Sequence, residues 1–133
     1  MSQDLGRGLA GLTILLVDDH QPSIKLIEAS LAGEGCIIWS ATTAEDALEL
    51  LALEPPRLVL LDLALPGMDG IELSKAIKSR PECRDTLIVA ITSRNGSETE
   101  QEVRNAGCAA YLRKPIDAPS LAEFLARLLT EQP

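Results

Sequence analysis

Along the chain, short unbroken apolar runs alternate with longer segments whose apolar residues recur at helical spacing. The runs are Ile14-Leu-Leu-Val17, Cys36-Ile-Ile-Trp39, Leu58-Val-Leu-Leu61, Leu87-Ile-Val-Ala-Ile91 and Ala109-Ala-Tyr-Leu112. Continuous rather than alternating apolarity suits strands covered on both faces, as in a parallel sheet. Trp39, on the second run, reads as a packing residue. Between the runs, Thr43 with Asp46 makes a capping pattern, and Ala44, Ala47, Leu48 and Leu51 follow at i, i+3, i+4 and i+7. Asp69 and Glu72 open a similar segment lined by Leu73, Ala76 and Ile77, and Ser97 and Glu100 open another. Leu121, Phe124, Leu125 and Leu128 form the last helical face, with Pro119 near its first turn. A first helix is expected after Pro22, burying Ile24, Ile27 and Leu31 and stopping near Gly33 or Gly35.

Strand and helix therefore alternate five times. That order predicts an α/β fold, a doubly wound five-stranded parallel sheet with helices on both faces. The helix after Ser97 differs from the rest. Its stretch Glu98-Thr-Glu-Gln-Glu-Val-Arg-Asn carries one strongly apolar residue, Val103. A helix that buries so little is held weakly, and switching elements are drawn from such segments.

Length and charge narrow the function. The chain has 133 residues, enough for one domain. Residues 1–11, spaced with glycine, read as a flexible leader, and 12–133 as the domain. Aromatic residues make up 2%, so Leu, Ile, Val and Ala build the core and no aromatic platform exists for stacking bases. A formal net charge of −8 repels nucleic acid and anionic lipid, and neither is expected as a partner. The longest apolar runs are five residues, far below the roughly 20 a membrane helix needs. The start lacks the basic and apolar regions of a signal peptide. Cys36, Cys83 and Cys108 form no CxxC pair and read as reduced thiols of a cytoplasmic protein.

In a doubly wound sheet, ligands bind outside the carboxyl ends of the strands. Just past the predicted strands stand Asp18 and Asp19, Asp62, Thr92 with Ser93, and Lys114. Singly, the Asp pair could cap a helix, Thr92 could satisfy backbone and Lys114 could be a surface lysine. Together they put three carboxylates, a hydroxyl and an ammonium at one sheet end. Clustered carboxylates repel unless a cation joins them, and oxygen ligands without His or Cys favour a hard ion such as Mg²⁺. A carboxylate nucleophile, a metal and a lysine suit phosphoryl transfer, whose transition state demands positioning and charge neutralisation. His20, beside the acidic pair, reads as a helix-start residue rather than a ligand.

These residues resemble the receiver domain of response regulators in two-component signalling, over about Leu12 to Leu129. The resemblance rests on Ile14-Leu-Leu-Val-Asp-Asp19, the D-x-x-L-P-x-x-D-G of Asp62 to Gly70, Ile88-Val-Ala-Ile-Thr92, and Gly107-Cys-Ala-Ala-Tyr-Leu-Arg-Lys-Pro115. It implies a flavodoxin-like strand order 2-1-3-4-5 and phosphorylation of Asp62 by a phosphohistidine on a histidine kinase or histidine phosphotransfer protein. By the same resemblance Mg²⁺ would be held by Asp18, Asp19, Asp62 and the backbone carbonyl of Ala64. Thr92 and Lys114 would bind phosphoryl oxygens, Thr92 and Tyr111 would act as the switch pair, and Lys114–Pro115 would be cis. The output would pass through the α4-β5-α5 face to a downstream protein or a second copy. Such a chain is a signalling switch that catalyses only its own phosphorylation and dephosphorylation. Ala64 and Arg94 stand at positions that vary in the family and tune phosphoryl lifetime.

Two other classes compete. One is a receiver-fold docking module that is never phosphorylated. The other is a metal-dependent phosphohydrolase of similar topology, which the lack of an insertion for a substrate cap disfavours. A nucleotide binder is disfavoured because Asp18-Asp-His-Gln21, not a glycine-rich loop, follows the first strand. No output domain follows the last helix, so the chain reads as a stand-alone receiver or one cut from a longer regulator.

Overall fold

The computed structural model describes residues 8–65, 67–93 and 97–131. Five parallel strands form one sheet: β1 (Thr13–Val17), β2 (Ile37–Ala41), β3 (Leu58–Asp62), β4 (Leu87–Thr92) and β5 (Ala110–Arg113). Their spatial order is β2-β1-β3-β4-β5, as the receiver resemblance implied. Five helices alternate with them: α1 (Gln21–Leu31), α2 (Ala44–Leu53), α3 (Gly70–Lys78), α4 (Ser97–Asn105) and α5 (Ala118–Glu131). A short 3-10 turn, Pro81–Cys83, leads from α3 to β4.

Successive residues of a strand face opposite sides of the sheet, so each central strand feeds two cores. Leu15, Val17, Val59, Leu61, Ile88 and Ala90 pack under α2, α3 and α4. Ile14, Leu16, Leu58, Leu60, Val89 and Ile91 pack under α1 and α5. This is why the runs on β1, β3 and β4 are unbroken: both faces are covered. Deleting one of these side chains, as in Leu60→Ala, would cost about 2–5 kcal/mol.

The edges behave differently from the reading. The second run was expected at Cys36 to Trp39, covered on both faces. The strand instead covers Ile37–Ala41, with Ile37 53% exposed. The fifth runs from Ala110 to Arg113 and is only half-buried. Register explains the shift, because the ladder with β1 continues through Ser40 and Ala41, whose backbone pairs whatever their side chains. Trp39 packs against the α2–α4 core, as read.

Local signals hold at the helix starts. The Thr43 hydroxyl accepts the Asp46 N–H at 3.1 Å, and the Asp69 carboxylate accepts that of Ile71 at 2.9 Å. Pro22 and Pro119 each stand second in their helices, where no N–H is needed. His20 is the residue before α1. In α4, Thr99 and Val103 are buried, as is Ala106 just past its end. The segment read as a leader is packed from Leu9, which is buried on the α1–α5 side, and Gly11 donates to the Gly35 carbonyl at 2.9 Å. Arg94 lies outside the described residues. Among those residues, no helix is long and apolar enough to cross a membrane. All three cysteines are free, and burial pushes their thiols above the ordinary range.

Candidate functional site

The strand order reverses beside β1, where β1 lies between β2 and β3, and the crevice outside these carboxyl ends is where a doubly wound sheet binds ligands. Asp18 follows β1 directly. Its N–H donates to the Ala41 carbonyl of β2 at 3.0 Å, which fixes the end of the strand. The residue is 0% exposed. One carboxylate oxygen, Oδ1, accepts the His20 N–H at 2.8 Å, while Oδ2 is buried without any hydrogen-bond partner. Asp19, the next residue, is turned to solvent.

Asp62 is the last residue of β3 and is buried. Its Oδ1 accepts the Ala64 N–H at 3.0 Å, and its Oδ2 lies 3.1 Å from Lys114 Nζ. The same ammonium is 3.7 Å from the orphaned Oδ2 of Asp18. Lys114 is aimed there by its backbone, whose N–H donates to the Thr92 carbonyl at 2.8 Å and so extends the β4–β5 ladder. The following Lys114–Pro115 bond is cis. Thr92 is buried at the end of β4. Carboxylate oxygens of Asp18, Asp19 and Asp62 all lie within 4.8 Å of one another.

The charges do not balance. Among the described residues, three carboxylates face one ammonium, so that group is net negative. Burial is the main reason the Asp18 carboxyl is pushed above its ordinary 3.8, and the nearby Asp62 adds to it. The His20 N–H and Lys114 pull the other way without cancelling it. A divalent cation would supply what is missing. The donors are hard oxygens, three carboxylates converge, and one buried oxygen has no partner, so the residues present fit Mg²⁺.

Asp18, Asp19, Asp62, Ala64 and Lys114 are thus brought together, and Thr92 stands on the neighbouring strand end. Tyr111 is half-buried on β5 opposite Ala90 and packs against the α2–α4 core. The His20 ring bonds the Ser23 hydroxyl at 2.8 Å through Nδ1.

One contributor had no role assigned to it from sequence. A Cβ on Gly70 would come 2.6 Å from Leu63 Cα and 2.9 Å from the Asp62 carbonyl oxygen. The start of α3 is therefore pressed against the peptide that follows Asp62, and the Gly70 N–H donates to the Leu63 carbonyl at 3.1 Å. Only glycine allows that approach. The Asp69-Gly70 pair was visible as part of a motif, but its nearness to Asp62 needs the fold.

Known proteins agree with this picture. The family model described as the response regulator receiver domain matches residues 14–126. An uncharacterised 14.6 kDa protein of Leptolyngbya boryana is 37% identical over 117 residues, covering 88% of this chain and 89% of its own length. The polar-differentiation response regulator DivK of Brucella ovis is 29% identical over 113 residues, covering 85% of this chain and 92% of its own. Among solved structures, chemotaxis response regulator CheY4 of Vibrio cholerae superposes with a TM-score of 0.83 at 25% identity, over 89% of this chain and 98% of that one. The BeF3-activated receiver domain of DrrB, a Thermotoga maritima protein, gives 0.80 at 27% identity, over 90% and 98%. With the acidic crevice, the lysine and the strand order all in place, the chain belongs to the response regulator receiver family.

Proposed function

We propose that Asp62 accepts a phosphoryl group from a phosphohistidine on a histidine kinase or histidine phosphotransfer protein, in the cytoplasm, and that the loaded site biases the α4-β5-α5 surface toward a downstream partner. Receiver domains as a family are signalling switches that meet such kinases and such targets. The observation that carries the reading is the Asp62–Lys114 contact at 3.1 Å inside a group of three carboxylates, one with a buried unpartnered oxygen.

In the transfer, an Asp62 oxygen attacks phosphorus as the bond from phosphorus to the donor imidazole nitrogen breaks. The bonding pair returns to the imidazole, and solvent supplies its proton. The Ala64 N–H holds the Asp62 carboxylate in one orientation while this happens. Lys114, already beside that carboxylate, moves its charge onto a phosphoryl oxygen, and Thr92 offers a hydroxyl to another. Mg²⁺ held by Asp18, Asp19, Asp62 and the Ala64 carbonyl would neutralise the negative charge gathering on the transferred group.

A phosphoryl group adds about −1.5 to −2 charge at neutral pH. Its pull on Thr92 and Lys114 acts on the ends of β4 and β5, which are joined by the Lys114–Thr92 backbone bond. Tyr111, on the α4 side of β5, is the side chain through which that pull would reach the surface.

The direct test uses a histidine phosphotransfer protein carrying labelled phosphate. Label should move to this chain in the presence of Mg²⁺, and Asp62→Asn should not take it. Transfer that survives Asp62→Asn, or that proceeds equally with excess chelator, would contradict the proposal.

A further inference from the structure

The rim of the sheet opposite β5 is open. β2 pairs with β1 alone, in an unbroken register that runs from Thr13 with Ile37 to Val17 with Ala41. The end residues of β2 turn their backbone toward β1. The Ile37 N–H donates to the Leu12 carbonyl at 2.8 Å, and the Ala41 carbonyl accepts the Asp18 N–H at 3.0 Å. By alternation, the N–H and C=O of Ile38 and Ser40 point outward, and nothing among the described residues bonds them. Natural sheet edges are blunted by Lys, Pro, bulges or inward-pointing charges. The strand Ile37-Ile-Trp-Ser-Ala41 has none of these. Around this edge lie the two most exposed large apolar side chains of the described residues, Ile37 and, at 77%, Leu53 at the end of α2. Glu54, next after Leu53, accepts the Thr13 hydroxyl at 3.3 Å. Thr13 is the register partner of Ile37, so the end of α2 lies at that corner of the sheet.

Charge decides what covers the edge. From Leu26 to Pro56 the chain carries Glu28, Glu34, Glu45, Asp46, Glu49 and Glu54, and not one Lys or Arg. Glu45, Glu49 and Leu53 fall on one exposed stripe of α2, about 6 Å from each to the next. Same-face positions of a strand repeat at about 6.6 Å. An added strand can therefore meet Leu53 with an apolar residue, and Glu49 and Glu45 with Lys or Arg two and four positions along. A second copy of this chain would bring the same acids and be repelled. We infer that the free edge of β2 takes up an extended segment of a partner protein as a sixth strand, apolar at one end and basic along the same face. Bonds to Ile38 and Ser40 supply the pairing, and the stripe on α2 selects the sequence. This rim lies away from β4 and β5, so the docking site is separate from the proposed output face and independent of Asp62.

Amide hydrogen exchange on the full chain tests this with two capped peptides, Val-Thr-Lys-Thr-Lys and its reverse, which allow for either strand direction. At millimolar concentration, one of them should slow exchange at Ile38 and Ser40 by at least about tenfold. Added salt should weaken the binding. Glu49→Lys should weaken it by at least about tenfold, whereas Glu28→Lys, the same charge change on α1, should not. Both positions are exposed, so neither change threatens the fold. Unchanged exchange at Ile38 and Ser40 with both peptides would overturn the proposal. Equal protection by peptides with Glu in place of Lys, or equal weakening by the two variants, would do the same. A wild-type dimer in sedimentation, with Ile38 and Ser40 already protected, would overturn it in favour of a second copy.

Discussion

Asp18 and Asp19 share a motif but not an environment, and the difference carries a prediction. Asp18 is sealed from water with one oxygen unpartnered, and burial raises its pKa above 3.8. Between 3.8 and the higher folded value, the folded state therefore holds a proton that the unfolded chain has released. Stability from this group is present below pH 3.8 and is lost as pH rises through the higher folded value. Asp18→Asn keeps an acceptor for the His20 N–H and removes the buried charge. Without Mg²⁺ it should be more stable than the wild type at neutral pH, with the gain vanishing in acid; urea titrations at several pH values measure this. An equal gain at all pH values would mean that ionisation is not the cause. Lys114→Met should do the opposite, leaving Asp62 Oδ2 without its 3.1 Å partner and lowering neutral stability by about 1–3 kcal/mol. At this scale the sequence showed which residues collect at the strand ends. It could not show that Asp18 is buried and Asp19 exposed, because that depends on which side of the sheet each leaves β1.

Among the elements, helices were the most legible because their signals are local. Thr43 and Asp46 sit three residues apart and find each other in the fold. Thr43→Ala should cost about 1 kcal/mol in thermal or urea denaturation, without altering the site. Edge strands were less legible. An apolar run such as Cys36 to Trp39 looks alike in the middle of a sheet or at its rim, and only the strand order leaves Ile37 half in water. The start of α3 was legible as a cap and opaque as a contact. Gly70→Ala would drive a methyl group into the Leu63 backbone. It should cost about 1–3 kcal/mol and slow phosphorylation, since the displaced peptide is the one that follows Asp62. Normal phosphorylation with lowered stability would separate the packing role from the positioning role.

For the molecule as a whole, the net charge of −8 and the acidic group formed by the described residues Asp18, Asp19 and Asp62 point the same way. A cation bound by the folded site and not by the unfolded chain stabilises by RT ln(1 + [L]/Kd), about 2.7 kcal/mol at a hundredfold excess over Kd. Mg²⁺ should therefore raise the melting temperature in a saturable way that Asp18→Asn blunts. A sodium salt at matched ionic strength should reproduce little of it. The fold class was readable because five apolar runs alternate with five helical segments, the strand order only through the receiver resemblance, and the site because its residues fall at consecutive strand ends. The bond from the Ser74 hydroxyl to the Ala106 carbonyl was not readable, since it joins residues 32 apart whose types carry no motif.

The central claim is that Asp62 takes a phosphoryl group with the help of a cation, and intact mass tests it most directly. The protein would be incubated with acetyl phosphate and Mg²⁺, beside Asp62→Asn and a chelated control. The account predicts a labile gain of one phosphoryl group on the wild type and none in either control. A gain on Asp62→Asn, or no gain under conditions that phosphorylate a known receiver domain, would contradict it.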